Sequence, residues 1–264
     1  MNYNKSNKTA WEEAYDNRKD GWGEDIIAKI RKEGYPFLGK ELLDELDNFD
    51  FKGKTIAQFC CNNGRELLSL FKMGAEYGVG FDIAENMVSF ANLTAKDLQM
   101  NCFFVATDIL NIDSSYYGAF DYILITIGAL TWFEDLKSFF NKAASCLKDG
   151  GYLVINEKHP VTDMLAMEGE ENFDESSPDK LINSYFRQEP WIESNGMGYM
   201  SDSSKDYKRT FFSYSHTFAD IMNAIIDNGM QIRKLKEFDL DISSSFCNLN
   251  HKGIPLSYIL ISQK

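Results

Sequence analysis

FCCNNGRELLSL, residues 59 to 70, begins as an apolar strand would end and finishes as a helix would run. In an α/β sheet, a turn from first strand to first helix lies at the carboxyl edge, where free N–H groups and the helix dipole create a ligand site. Such a turn needs small residues for close backbone approach. Nicotinamide-dinucleotide proteins place G-x-G-x-x-G there so that a pyrophosphate can lie against the helix terminus. Here the matching positions are Cys60, Asn62 and Gly64, in a C-x-N-x-G arrangement, and the third glycine of the dinucleotide pattern is missing. That counts against a pyrophosphate.

Outward from this turn the periodicity alternates. Segments 55–61, 76–83, 102–109, 119–130 and 152–160 read as buried strands, and helical spacing runs through GRELLSLFKMGA, 85–100 and LKSFFNKAASCL, the last stopped by Asp149-Gly150-Gly151. After Pro160 the pattern breaks into an acidic, aperiodic stretch that includes EGEENFDESSPDK. Order resumes in YKRTFFSYSHTF, where Phe212, Tyr214, His216 and Phe218 alternate like one face of a strand. Thr217 with Asp220 three residues on resembles a helix start, and Gly229 closes that helix. QIRKLKEFDL and PLSYILISQK complete seven strands. The spacing predicts an α/β fold: a Rossmann-like, seven-stranded, mostly parallel sheet with helices on both faces and a lid inserted after strand five. The expected parts are an amino-terminal helical cap (1–50), a ligand-binding core (51–160), a lid (161–213) and a carboxyl-terminal return to the core (214–264).

Composition excludes several functions. Forty acidic residues against 27 basic ones give a net charge of −13, which repels nucleic acid and anionic lipid. The amino terminus has no apolar signal-like core, and no stretch reaches the roughly 18 apolar residues of a membrane span, so a cytoplasmic location is expected. Cysteines 60, 61, 102, 146 and 247 form no metal-type pair with a spacer, and free thiols are the expected state. Three histidines without H-x-x-H or H-E-x-x-H spacing argue against a metal. Nothing in the residue pattern sets an oligomeric state.

The turn resembles the S-adenosylmethionine-binding motif of class I methyltransferases, commonly D-x-G-x-G-x-G, with Gln58 at the acidic position, Cys60 and Asn62 at the first two glycines and Gly64 at the third. It is closer still to a subgroup of that superfamily whose motif runs L-Q-C-x-x-G, then a helix, then G-A-x-V-x-G-V-D. Gln58, Cys60 or Cys61, Gly64, Gly74-Ala75 and Gly80-Phe81-Asp82 match it. IGALTW (127–132), LKDGGYLVINEKHP (147–160) and IMNAIIDNGMQI (221–232) continue the likeness in the same order.

The resemblance implies S-adenosylmethionine as cofactor and a small-molecule acceptor. Asp82, with Ile83 beside it, ends the second strand where a carboxylate can accept from both ribose hydroxyls, although a helix N-cap before AENMV is the plainer role. Asp108 is placed to accept from the adenine amino group while Ile109 packs on the ring. Asn62 and Gly64 would lie under the methionine moiety, and Thr126 and Ile127 would offer carbonyls to its ammonium. A non-catalytic binding module and a nicotinamide-dependent oxidoreductase are the alternatives.

Candidates for catalysis are fewer. His159 follows strand five at the carboxyl edge, and Glu157, two residues earlier on the same strand face, could pair with it as a general base. A structural histidine before Pro160 is the alternative. His216 sits on an aromatic face and reads as packed. Cys60 and Cys61 have no histidine placed to activate them, so buried, apolar-like thiols are expected. Trp11, Tyr15, Trp22 and Tyr35 either cap the core or wall the site.

Overall fold

The computed structural model describes residues 3 to 264. Three helices, α1 (Tyr3–Asp16), α2 (Ile26–Lys32) and α3 (Lys40–Leu46), precede the first strand. Then β1 (Thr55–Phe59), α4 (Arg65–Phe71), β2 (Tyr77–Asp82), α5 (Glu85–Leu98), β3 (Cys102–Ala106), β4 (Phe120–Thr126), α6 (Leu136–Cys146) and β5 (Leu147–Lys158) follow in alternation. A hairpin of β6 (Trp191–Glu193) and β7 (Phe211–Ser213) leads to α7 (Phe218–Asp227), β8 (Gln231–Phe238) and β9 (Ser257–Gln263).

Seven strands form one sheet in the order β3-β2-β1-β4-β5-β9-β8. Strands β1 to β5 are parallel, whereas β9 runs antiparallel to both neighbours, β5 and β8. The mixed, mostly parallel α/β sheet expected from the sequence is therefore present. Because β1 lies between β2 and β4, the winding reverses at β1. A crevice opens there at the carboxyl ends, which is where such folds bind ligands.

Both faces of the central strands are covered, so β1, β2 and β4 are buried along nearly their whole length, whereas the edge strand β8 is mostly exposed and charged. Ala57, Phe59, Ile123 and Ile125 face one core with α6 and α7, while Ile56 and Leu124 face a second core with α2 and α4. Close packing fixes two glycines. A Cβ on Gly64, whose φ is +81°, would stand 2.5 Å from the Phe104 ring, and one on Gly80 would stand 2.4 Å from it.

Two boundaries depart from the sequence reading. Strand β5 begins at Leu147, directly after α6, because Leu147 already pairs with Phe120 before the register shifts. The alternation over 212–218 spans only the short β7, since Tyr214 N–H turns to the Thr131 carbonyl at 2.8 Å. Helix α7 then starts from a reciprocal capping box between Thr217 and Asp220. The hairpin is a separate two-stranded sheet joined to α1: the Asn7 carboxamide donates to the Phe212 carbonyl at 2.8 Å and accepts its N–H at 2.8 Å. Helix α3 instead reaches β8, where buried Glu45 pairs with Lys234 and Lys236. The three amino-terminal helices thus serve different parts of the core.

Candidate active site

A cavity of about 490 Å³ lies over the carboxyl ends of β1 to β5. Its lining includes Cys60, Asn62, Asp82, Ile83, Asp108, Ile109, Thr126 and Ile127, so the structure brings together eight residues singled out from sequence. Gly64 is the exception among the cofactor candidates. It is buried outside the lining, with a left-handed backbone at φ +81° and no room for a Cβ beside the Phe104 ring.

The turn after β1 holds two non-glycine residues in left-handed backbone, Cys60 at φ 55° and Asn62 at φ 51°. These stand where the related motif has glycines, and such backbone costs an L-residue roughly 1–2 kcal/mol. Asn62 offsets part of that cost: its side-chain oxygen accepts from Asn63 N–H at 2.7 Å, and its own N–H donates to Asp82 Oδ2 at 2.7 Å. Asp82 Oδ1 accepts from Ala84 N–H at 3.0 Å. Burial pushes the Asp82 pKa up to about 6, against the opposing pull of the Ala84, Asn62 and Ile83 amides. Asp82 is thus a cavity carboxylate that also ties down the chain ahead of α5, whose N-cap position is Ala84 and not Asp82.

Asp108 caps a short 3-10 turn, accepting Leu110 N–H at 3.0 Å, and takes the Asn4 side-chain amide at 2.6 Å. That contact brings α1 to the rim, with Asn4, Asn7 and Trp11 in the lining. Of the four amino-terminal aromatics, Trp11 walls the cavity, whereas Tyr15, Trp22 and Tyr35 pack into apolar clusters. Gln58 is buried at the end of β1 and donates to Thr126 Oγ1 at 2.8 Å, bracing β4.

The two catalytic candidates are placed differently from the sequence expectation. His159 is 5% exposed and outside the lining; its Nε2 meets Glu237 at 2.9 Å and its Nδ1 accepts Val161 N–H at 3.2 Å. The ring packs 5.0 Å from Phe218. The chain turns at Pro160 and carries the imidazole under α7, so His159 does not reach the cavity, and burial pulls its pKa down. Glu157 does not pair with it. Its carboxylate accepts Gly128 N–H at 2.6 Å, Ala129 N–H at 2.6 Å and Leu130 N–H at 3.1 Å, bracing the loop after β4. Lys158 N–H adds a fourth bond at 3.2 Å, so backbone amides fill the acceptor sites of this carboxylate, while burial pushes its pKa up. Between them Lys158 does line the cavity, ion-paired with Asp163.

Burial pushes the Cys60 and Cys61 thiols well up, which leaves them uncharged and poor nucleophiles. His216 is satisfied through Nε2 on the Phe133 carbonyl at 2.8 Å. Among the described residues no group of three or more His, Cys, Asp or Glu side chains could hold a metal ion. No helix among them is long and apolar enough to cross a membrane.

Several lining residues escaped the sequence reading. Arg65 and Glu66 had a signal, as they directly follow Gly64. Met197 and Tyr199, from the inserted segment, and Ile242 to Ser245, between β8 and β9, had none, because their approach to the cavity is tertiary.

Residues 50–211 match the family model described as a methyltransferase domain. An uncharacterized protein of Haemophilus influenzae is 25% identical over 225 residues, covering 80% of this chain and 81% of its own length. Among solved structures, an S-adenosylmethionine-dependent methyltransferase from Mesorhizobium loti superposes with a TM-score of 0.62 at 18% identity, covering 89% of this chain and 100% of its own. Geranyl diphosphate C-methyltransferase from Streptomyces coelicolor, solved with S-adenosyl-L-homocysteine, superposes with a TM-score of 0.59 at 12% identity, covering 100% of this chain and 98% of its own.

Proposed function

The chain belongs to the methyltransferase domain family, and from that premise we propose that it is an S-adenosylmethionine-dependent enzyme whose methyl acceptor is a small molecule. One observation carries the reading. The ends of four adjacent strands meet in a single cavity and present Cys60 and Asn62, Asp82 and Ile83, Asp108 and Ile109, and Thr126 and Ile127. The donor set fits an adenosyl ligand. Asp82 would receive the ribose hydroxyls, Asp108 the adenine amino group with Ile109 on the ring, and Thr126 and Ile127 would offer carbonyls to the methionine ammonium.

Bound there, the cofactor would supply a methyl group already activated as a sulfonium. What remains for the protein is proximity, orientation and exclusion of water. The rest of the lining suits that task. Trp11, Trp132 and Phe133 form an aromatic wall and Met197 adds apolar surface, while the serines of 243–245 supply polar contacts. No histidine among the described residues lines the cavity; of its carboxylates, Asp82 and Asp108 accept backbone amides, and Lys158 is held by Asp163. An acceptor that is nucleophilic without a protein base, such as a neutral amine or an electron-rich carbon, suits this lining. Glu66, Asp82 and Asp108 make the cavity costly for a phosphorylated acceptor and favour a neutral or cationic one.

Calorimetry with S-adenosylmethionine, S-adenosylhomocysteine and NADH tests the cofactor. The first two are expected to bind and NADH to give no heat. Binding of NADH in their place would overturn the reading.

A further inference from the structure

Two hydrogen-bond donors on different segments line the cavity beside the turn and have no acceptor. Arg65 donates through Nε to Glu66 at 2.8 Å and its guanidinium lies over the Phe37 ring, 5.7 Å from its centre, but its two Nη groups have no hydrogen-bond acceptor among the described residues. Tyr199, from the segment between β6 and β7, accepts the Asn62 amide at 3.2 Å, and its own hydroxyl proton likewise has no acceptor there. Trp22 holds the two together: the guanidinium carbon lies 5.7 Å from its ring centre and the Tyr199 ring 5.9 Å. Arg65 and Tyr199 interact electrostatically. Tyr199 is 41% exposed and lines the cavity, and desolvation raises its pKa, so the phenol keeps its proton.

A guanidinium fork next to a neutral O–H is complementary to a carboxylate, which takes bidentate and charge-assisted bonds from such a pair. The corner lies at the turn, one residue from Gly64 and joined through Asn62 to Asp82. Glu66 occupies the Nε edge of Arg65 and leaves the corner close to neutral overall. That balance suits the end of a zwitterion better than an isolated anion, and a dianion would meet Glu66 and Asp82 at close range.

We propose that Arg65 and Tyr199 bind the α-carboxylate of the cofactor's methionine moiety and so make this chain selective for carboxylate-bearing adenosyl ligands; the inference rests on the S-adenosylmethionine reading above. It also ties the inserted segment to the cofactor, since Tyr199 reaches the ligand from outside the sheet.

Binding of S-adenosylmethionine and its decarboxylated analogue to the wild type, Arg65→Met and Tyr199→Phe is the test, read by calorimetry. The wild type is expected to bind the decarboxylated compound about 10- to 100-fold more weakly, the equivalent of a lost charge-assisted pair. Arg65→Met is expected to bind the two compounds alike, and Tyr199→Phe to narrow the gap. Equal binding by the wild type, or an undiminished gap in both variants, overturns the proposal while leaving the cofactor reading intact. Parallel loss of both ligands from Arg65→Met, with the gap in Tyr199→Phe unchanged, marks a structural role and overturns it as well. Failure of the wild type to bind either compound sinks the cofactor reading itself.

Discussion

Asp82 Oδ2 accepts the backbone N–H of Asn62 at 2.7 Å, so the carboxylate at the end of β2 holds the strained turn at the end of β1. The same group lines the cavity with its pKa raised to about 6 by burial. Ribose hydroxyls would donate to the ionised carboxylate, and ligand binding should then favour loss of its proton. The S-adenosylhomocysteine dissociation constant is expected to be flat above about pH 7 and to rise as the pH falls through 6. Titration calorimetry between pH 5 and 8 checks this; a profile flat across that range would remove Asp82 from the ligand.

Replacing Asp82 probes the same contact. Asp82→Ala is expected to weaken S-adenosylhomocysteine by about 10- to 100-fold, as for the loss of charge-assisted hydrogen bonds worth about 1.5–3 kcal/mol. Stability carries a sign of its own. Because the folded pKa is raised above the ordinary carboxylate value, ionisation of Asp82 disfavours folding as the pH rises from about 4 to 6. The alanine variant should lose that slope in its melting temperature.

Cys60 and Asn62 both adopt left-handed backbone, yet their substitution by glycine should have different results. Cys60→Gly relieves strain at a residue without a compensating side-chain bond and is expected to stabilise by about 1 kcal/mol, or about 2–4 °C. Asn62→Gly sacrifices the contacts to Asn63 and Tyr199 and is expected to be near neutral. Thermal melts of the two variants decide it. A destabilised Cys60→Gly would mean that the thiol makes a contact worth more than the strain.

His159→Asn separates structure from catalysis. With the imidazole turned away from the cavity and bonded to Glu237 and Val161, turnover is expected to stay within a few-fold of wild type, while stability falls by about 1–3 kcal/mol from the broken buried bonds. A loss of about 10²–10⁴ in kcat with an unchanged melt would restore His159 as a general base.

Much of the core was legible because its signal is local. Strands buried on both faces read as apolar runs, and the Thr217–Asp220 box announced α7 four residues in advance of its first buried turn. Asp82 and Asp108 were legible too, since a carboxylate just past a parallel strand must sit at the carboxyl edge. The orientation of His159 was not. Strand alternation gives the face at Glu157, but the chain bends at Pro160, and the partner that captures the ring, Glu237, comes from β8. Tyr199 was likewise out of reach, because an aperiodic segment carries no register from which to infer where its side chains land.

Glu157 shows the same limit, and its role can be tested. Its carboxylate gathers three consecutive amides, Gly128, Ala129 and Leu130, from the loop that follows Thr126 and Ile127 and includes the aromatic wall at Trp132. Through that loop Glu157 would act on a ligand as a positioning residue. Glu157→Gln keeps the shape but has one acceptor oxygen where the carboxylate has two, and its amide nitrogen would confront a backbone N–H. That mismatch is expected to cost about 1–3 kcal/mol of stability. It should also raise the KM for S-adenosylmethionine several-fold with kcat changed little, since the loop would be displaced without loss of a reacting group. Glu157→Asp, shorter but still doubly accepting, should recover part of both effects. If Glu157 were instead the base, glutamine would depress kcat by about 10²–10⁴ at unchanged KM, and steady-state kinetics on the two variants distinguishes these outcomes.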